Sequence, residues 1–224
     1  MLNGKLVIIE GLDGSGKATQ SALLAQALEQ AGQKVMKISF PNYDSPACGP
    51  VKMYLEGAFG ERPEDVSAFA ASSFYAIDRY ASYKTIWQGF YKEGGIIISD
   101  RYTTSNAVHQ CCKLPREEWD GYLSWLFDFE YRVMGIPAPD QVVYLDMPVE
   151  VSQKLMTQRY QGDEQKKDIH ERDRAYLAAA QQAGDYCAQK FGWTRIPCHV
   201  NQEPLSIQAI AAAVEKTVRD ALYL

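Results

Sequence analysis

Residues 5–19 read KLVIIEGLDGSGKAT, and this stretch decides the fold. Leu6, Val7, Ile8 and Ile9 form a short continuous apolar run, the pattern of a strand buried on both faces of a parallel sheet. Gly11, Gly14 and Gly16 then let the backbone turn tightly and bring its N–H groups up to an anion. A helix starting near Lys17 places the positive end of its dipole at the same point, and Lys17 adds a full charge at the β- and γ-phosphates. The spacing Gly11-x4-Gly16-Lys17 fits a phosphate-binding P-loop. One position departs from it: Ala18 stands where a serine or threonine usually offers a hydroxyl to Mg2+. Either the following Thr19 substitutes, or the metal is held by water and by an acid elsewhere.

Downstream, Leu23, Leu24, Ala27 and Leu28 recur at helical spacing, Gly32 terminates the helix, and Val35 to Phe40 reads as a second strand. Strand, helix, glycine, strand is the grammar of a βαβ unit. Phe40-Pro41-Asn42-Tyr43 closes that strand at the carboxyl edge of the sheet, where open α/β folds bind ligands. Pro41 reads as a simple strand stop with a trans bond. Pro63 opens a long helical stretch to about Lys92, as one helix or two with a bend. Phe69, Ser73, Tyr75, Ile77, Ile86 and Phe90 are its larger or interior candidates. Within it Tyr75 and Arg79, four apart, share a face. They are either a core tyrosine beside a surface arginine or a nucleobase pocket built from one aromatic plane and one planar donor.

Ile96 to Ser99 reads as a third buried strand, followed at once by Asp100-Arg101-Tyr102-Thr103-Thr104-Ser105-Asn106. Asp100 can hold Mg2+ directly or through water, and Arg101 can grip a phosphate bidentately. A structural Asp–Arg pair is the alternative. Helical patterning resumes at Pro115 and runs to about Met134 through Trp119, Leu123, Leu126 and Phe127, aromatics suited to a core or a subunit interface. Val142 to Leu145 forms a fourth strand, and Pro148 begins a helix carrying Val151, Leu155 and Met156. Tyr176 to Lys190 is helical, Thr194 to Cys198 a short fifth strand, and Ile207 to Leu222 a closing helix. Together these elements predict an α/β, three-layer P-loop NTPase fold: a five-stranded parallel sheet flanked by helices. Residues 159–174, RYQGDEQKKDIHERDR, are dense in both charges and nearly lack large apolar side chains. They read as a solvated face or as a short mobile lid that brings cations over reacting phosphates.

A chain of 224 residues is long enough for one such domain, 1–224, with a substantial core. The net charge of −5 and the pI near 5.3 argue against broad nucleic-acid or anionic-membrane binding, which needs a basic face. Met1 leads almost directly into a strand with no signal-peptide pattern, and no apolar run approaches the ~18 residues of a membrane span. Cys48, Cys111, Cys112, Cys187 and Cys198 are odd in number and lack metal-site spacing, which suits reduced, buried thiols in a cytoplasmic protein. An adjacent pair such as Cys111–Cys112 would form a disulfide only at the cost of backbone strain.

With EGLDGSGK at the start, FPNY after the second strand, YAIDR in the long helix, DRYTTSN after the third strand and PDQVVYLDMPVEV before the lid, the chain resembles thymidylate kinase, a P-loop nucleoside monophosphate kinase. The resemblance covers most of the chain. It implies transfer of the γ-phosphoryl of ATP to dTMP, with Mg2+ accompanying ATP, in a homodimer. It implies that Gly11, Leu12, Asp13, Gly14, Ser15, Gly16, Lys17, Ala18 and Thr19 wrap the donor phosphates. Asp13 is implied to face the sugar 3′-hydroxyl and the transferring phosphate. Tyr75 would stack on thymine, Arg79 reach a base carbonyl, and Ser105 and Asn106 contact the base edge. Arg101 would hold the acceptor phosphate, Asp100 serve the metal, and Phe40 and Tyr43 line the acceptor site. Members without an arginine in the P-loop carry basic catalytic residues in the lid, and this loop has Asp13-Gly14-Ser15. Arg159 is therefore the first lid candidate, followed by Lys166, Lys167 and Arg172. Besides Ala18, Asn42 stands where an arginine often follows the proline, and His109 where a Tyr or Phe often lies near the sugar. A kinase for another deoxynucleotide or nucleoside, or a non-catalytic ATP-binding regulator, are the alternatives.

Overall fold

A computed structural model describes residues 4–159 and 174–224. Five strands, β1 (Lys5–Gly11), β2 (Val35–Ser39), β3 (Ile96–Asp100), β4 (Gln141–Asp146) and β5 (Thr194–Pro197), form one sheet in the order β2-β3-β1-β4-β5. Every pairing in it is parallel. Its central strand β1 is closed to solvent from Leu6 onward, and each fully buried aliphatic side chain there contributes roughly 1.5–3 kcal/mol. Strand parity divides the core in two. Leu6 and Ile8 pack with Ile97, Trp87, Leu123 and Leu126 on one face. Val7 and Ile9 pack with Leu24, Leu28, Val214 and Val218 on the other.

The second face is covered by α1 (Lys17–Gln30), by α7 (Val149–Arg159) and by the closing helix α9 (Ile207–Leu222). The first is covered by α3 (Ala68–Ser82), α4 (Gln88–Lys92), α5 (Thr103–His109), α6 (Trp119–Phe127) and α8 (Arg174–Phe191). Outside these layers lie α2 (Gly49–Leu55) and a two-stranded antiparallel hairpin, β6 (His199–Val200) with β7 (Glu203–Pro204). Register places the ends of the strands at one level: Ile9 lies beside Asp100, and Asp100 beside Ser39. The loops leaving β1, β2 and β3 therefore converge at the carboxyl edge of the sheet.

Three local expectations change. The stretch from Pro63 to Lys92 is broken: a 3-10 turn at Pro63–Asp65 ends in extended Val66, and Ser67 then caps α3 by accepting from the Ala70 N–H at 3.2 Å. A π-helical segment, Tyr83–Trp87, joins α3 to α4. Its wider turn swings Trp87 inward and leaves Ile86 outside. Phe69 and Ile77 are exposed as well, because the inner face of α3 is built from Ala71, Ala76, Asp78 and Arg79 instead. The Phe40–Pro41 peptide is cis rather than trans. Both of its flanks are tied down, the Phe40 N–H by the Asp100 carbonyl at 3.0 Å and the Asn42 N–H by the Asp78 carboxylate at 2.8 Å. The segment expected as a lid, with Lys166, Lys167, His170 and Arg172, lies outside the described residues, as does the Arg159 side chain.

Candidate active site

The loop from Gly11 to Gly16 turns back on itself because its glycines adopt conformations that a Cβ resists. Gly14 has φ +78° and lies so close to α7 that a Cβ would fall 2.7 Å from the Ser152 carbonyl oxygen. Gly16, at φ +93°, is the N-cap of α1, whose first turn carries no acidic residue. The positive end of this 14-residue helix is therefore unopposed by its own side chains. Lys17 starts the helix with its side chain folded inward, donating from Nζ to the Leu12 carbonyl at 2.7 Å. Burial, and the cationic Arg101 nearby, pull its pKa down to about 8.

Opposite the loop stands Arg101, a non-glycine residue at φ +67° immediately beyond β3. One end of its guanidinium, Nη2, pairs with the Asp13 carboxylate of the glycine loop. The other end, Nη1, donates to Ser105 Oγ at 3.2 Å and lies 3.3 Å from His109 Nε2 and 3.9 Å from Glu10 Oε1. Burial opposes this cation, but Asp13, Glu10 and Asp100 together outweigh that effect and hold its pKa above the ordinary arginine value. Asp13 also lies 3.9 Å from Lys17 Nζ, so one carboxylate spans the two cations.

A cavity of about 820 Å³ opens between these groups. Asp13, Gly14, Gly16, Lys17, Ala18 and Thr19 line its loop side. Phe40, Pro41, Tyr43, Tyr75 and Arg79 line the far side, with Asp100, Arg101, Ser105, Asn106 and His109 between. Gly11, Leu12 and Ser15 are buried beneath the loop and do not line it. Tyr75 presents its ring there, braced edge-on by Tyr54 at 6.4 Å. Arg79 is held from below, where Glu130 accepts from its Nε and Nη2 at 2.7 and 2.6 Å, while its Nη1 donates to the Tyr102 carbonyl at 3.3 Å. Asn106 donates to the Ser72 carbonyl at 3.3 Å. His109 stacks on Tyr176 of α8, whose hydroxyl donates to the His109 carbonyl at 2.7 Å.

Two carboxylates central to this geometry escape sequence reasoning. Glu10 is fully buried and accepts from Thr104 Oγ1, Ser105 Oγ and the Gly11 N–H. Glu130, also fully buried, holds Arg79 and accepts from Thr103 Oγ1 at 2.8 Å. The one available signal lies in β1, where Leu6 and Ile8 share parity with Glu10 and so point it into the core.

The family model describing thymidylate kinase matches residues 9–190. This chain belongs to the thymidylate kinase family. A thymidylate kinase of Mycobacterium tuberculosis is 32% identical over 170 residues, spanning 75% of this chain and 78% of that one. A solved thymidylate kinase structure from Candida albicans superposes with a TM-score of 0.71 at 20% identity, over 97% of this chain and 92% of the other. It shares the fold. Family membership does not favour the non-catalytic ATP-binding regulator or a kinase for another deoxynucleotide or nucleoside.

All five cysteines are free thiols, four of them buried and Cys112 partly so. Burial pushes Cys48 up to about 11 and Cys112 up to about 12, which makes both poor nucleophiles at neutral pH. Among the described residues no helix is long and apolar enough to cross a membrane.

Proposed function

We propose that this chain is an ATP-dependent dTMP kinase, transferring the γ-phosphoryl group of ATP to dTMP to give dTDP. One observation carries the reading: the phosphate-binding loop and the aromatic, arginine-lined pocket open into a single cavity, with Arg101 and Asp13 in contact across its middle. Two anions brought in line, with their charge neutralised, are what phosphoryl transfer requires. The loop amides and Lys17 hold the donor phosphates, and Arg101, aided by Tyr43, holds the acceptor phosphate. Tyr75 stacks on the base, and Arg79, Ser105 and Asn106 read its edge. Asp13 orients Arg101 and meets the acceptor sugar.

A magnesium ion fits this site as a companion of ATP. Asp100 offers a carboxylate and Thr19 a hydroxyl to the same cavity as Lys17, while the described residues hold no cluster of three ligating side chains. Asp100 and Thr19 would hold the ion beside the donor phosphates, and it would neutralise charge on them. Residues 159–174 act as a lid of a single 1–224 kinase domain, in which Arg159, with Lys166, Lys167 and Arg172 behind it, closes over the phosphates and excludes water. The enzyme works as a cytoplasmic homodimer with no nucleic-acid or membrane partner. Phe69, Ile77 and Tyr80, exposed along one stripe of α3, suit the subunit contact.

A coupled assay of ADP formation with Mg·ATP against dTMP, dUMP, UMP, dCMP, dGMP, AMP and thymidine, with a no-acceptor control, tests this function. A strong preference for dTMP is the expected result. Equal ADP formation without any acceptor would overturn it.

A further inference from the structure

Glu10 lies two residues beyond Ile8 on the face of β1 that packs into the core, and no part of it reaches solvent. A carboxylate in such a place needs donors, and it has them. Thr104 Oγ1 donates to Oε2 at 2.6 Å, Ser105 Oγ to Oε2 and Oε1 at 2.8 and 3.0 Å, and the Gly11 N–H to Oε1 at 3.0 Å. Ser105 Oγ also receives Arg101 Nη1 at 3.2 Å. A carboxylate only accepts and a guanidinium only donates, so the single hydroxyl proton between them has one direction, toward Glu10.

We propose that Glu10 is a positioning residue: by taking the Ser105 hydroxyl proton it turns an oxygen lone pair to Arg101 and fixes that arginine between donor and acceptor. Asp13 holds Nη2 from the other side. Two anchors at opposite ends of the fork set its position along the cavity, and its long-range attraction to Glu10, 3.9 Å from Nη1, favours the same place. Arg101 occupies a left-handed backbone conformation at φ +67°, which a non-glycine residue adopts where its surroundings hold it. The proposal rests on the reading of Arg101 as the arginine of the acceptor phosphate.

Glu10→Gln is the informative variant. The Gly11 N–H keeps an oxygen at Oε1, so the new amide NH2 takes the Oε2 place, where Thr104 and Ser105 make their shortest contacts. Ser105 retains only the 3.0 Å acceptor at Oε1, and the amide donor competes with Arg101 for its oxygen. We expect kcat/KM for dTMP to fall about 10- to 100-fold, with KM for ATP within about threefold of wild type. Arginine-selective labelling by phenylglyoxal, followed by peptide mass spectrometry on the unliganded protein, should modify Arg101 about fivefold faster in the variant, because its guanidinium is less engaged. Thr104→Val removes a Glu10 partner that does not touch Arg101 in the described contacts, and it should lower stability without altering the labelling. Ser105→Ala should reproduce the faster labelling even if Glu10→Gln folds poorly. Unchanged labelling in both Glu10→Gln and Ser105→Ala, or equal acceleration in Thr104→Val, would overturn the proposal. Faster labelling in a protein that does not turn over dTMP would uphold the positioning role and overturn only the assignment of substrate.

Discussion

Arg79 and Glu130 form a two-point ion pair, 2.7 and 2.6 Å, with both side chains almost fully closed to solvent. Burial disfavours the Arg79 cation, and Glu130 more than compensates, so its pKa lies above the ordinary value. Removing one partner strands the other charge in a dry environment. Glu130→Ala should therefore cost about 3–5 kcal/mol of stability. The double variant Arg79→Met/Glu130→Leu should recover most of that loss, because it leaves no charge behind. Urea denaturation of the three proteins checks the order, and equal losses in the single and double variants would contradict it.

Arg101→Ala should lower kcat/KM for dTMP by about 10³-fold or more, the scale of an arginine that stabilises a transferring phosphoryl group. It also removes the cation that lies against Glu10 and Asp13. The folded variant should then be less stable than wild type, because the buried Glu10 loses a nearby counter-charge. Steady-state kinetics alongside thermal melts separate the effects. Turnover like that of wild type would remove Arg101 from the reaction.

Lys17, pulled down to about 8 by burial and by Arg101, carries a signature in pH. Between about pH 8 and 10.4 the unfolded chain holds a proton on this side chain that the folded one has lost, so this group's contribution to stability improves as pH rises through that window. An anionic triphosphate reverses the shift by restoring the charge. At pH 8.5 ATP binding should take up between about 0.5 and 0.75 proton. Titration calorimetry in buffers of different ionisation enthalpy measures this, and Lys17→Met should abolish it.

Gly14 and Gly16 should respond differently to alanine. Both have positive φ, but only at Gly14 does a Cβ collide, 2.7 Å from the Ser152 carbonyl and 2.8 Å from Met156 Cγ, whereas Gly16 has open space. Gly16→Ala should cost about 1–2 kcal/mol from backbone strain alone. Gly14→Ala should cost more, because α7 must move away from the loop. Thermal denaturation of the two unliganded variants gives the order, and the reverse order would show that α7 yields easily.

Much of this was legible in one dimension because it depends on short-range chemistry. The apolar runs at Ile8, Ile98 and Val143 mark strands, and the glycines at 14 and 16 mark the turn. Arg101 follows its strand directly, so its place at the carboxyl edge was implied by position alone. Helical spacing alone misjudged Phe69, Ile77 and Ile86. The inward face of α3 is set by what it meets: Ala76, Asp78 and Arg79 are buried, and Tyr75 and Arg79 line the site.

The sequence by itself determined the layered α/β fold, the phosphate-binding loop and the family, since each is written in residues that lie close together in the chain. Only the tertiary structure decided which carboxylate holds which cation. Glu10 meets Ser105 from 95 residues away, Asp13 meets Arg101 across 88, and Glu130 meets Arg79 across 51. The physical reason is that a buried charge is tolerable only where counter-charges or donors meet it; the register of β1 beside β3 brings Glu10 and Asp13 to Arg101 and Ser105, and helix packing brings Arg79 to Glu130, in each case from far apart in sequence.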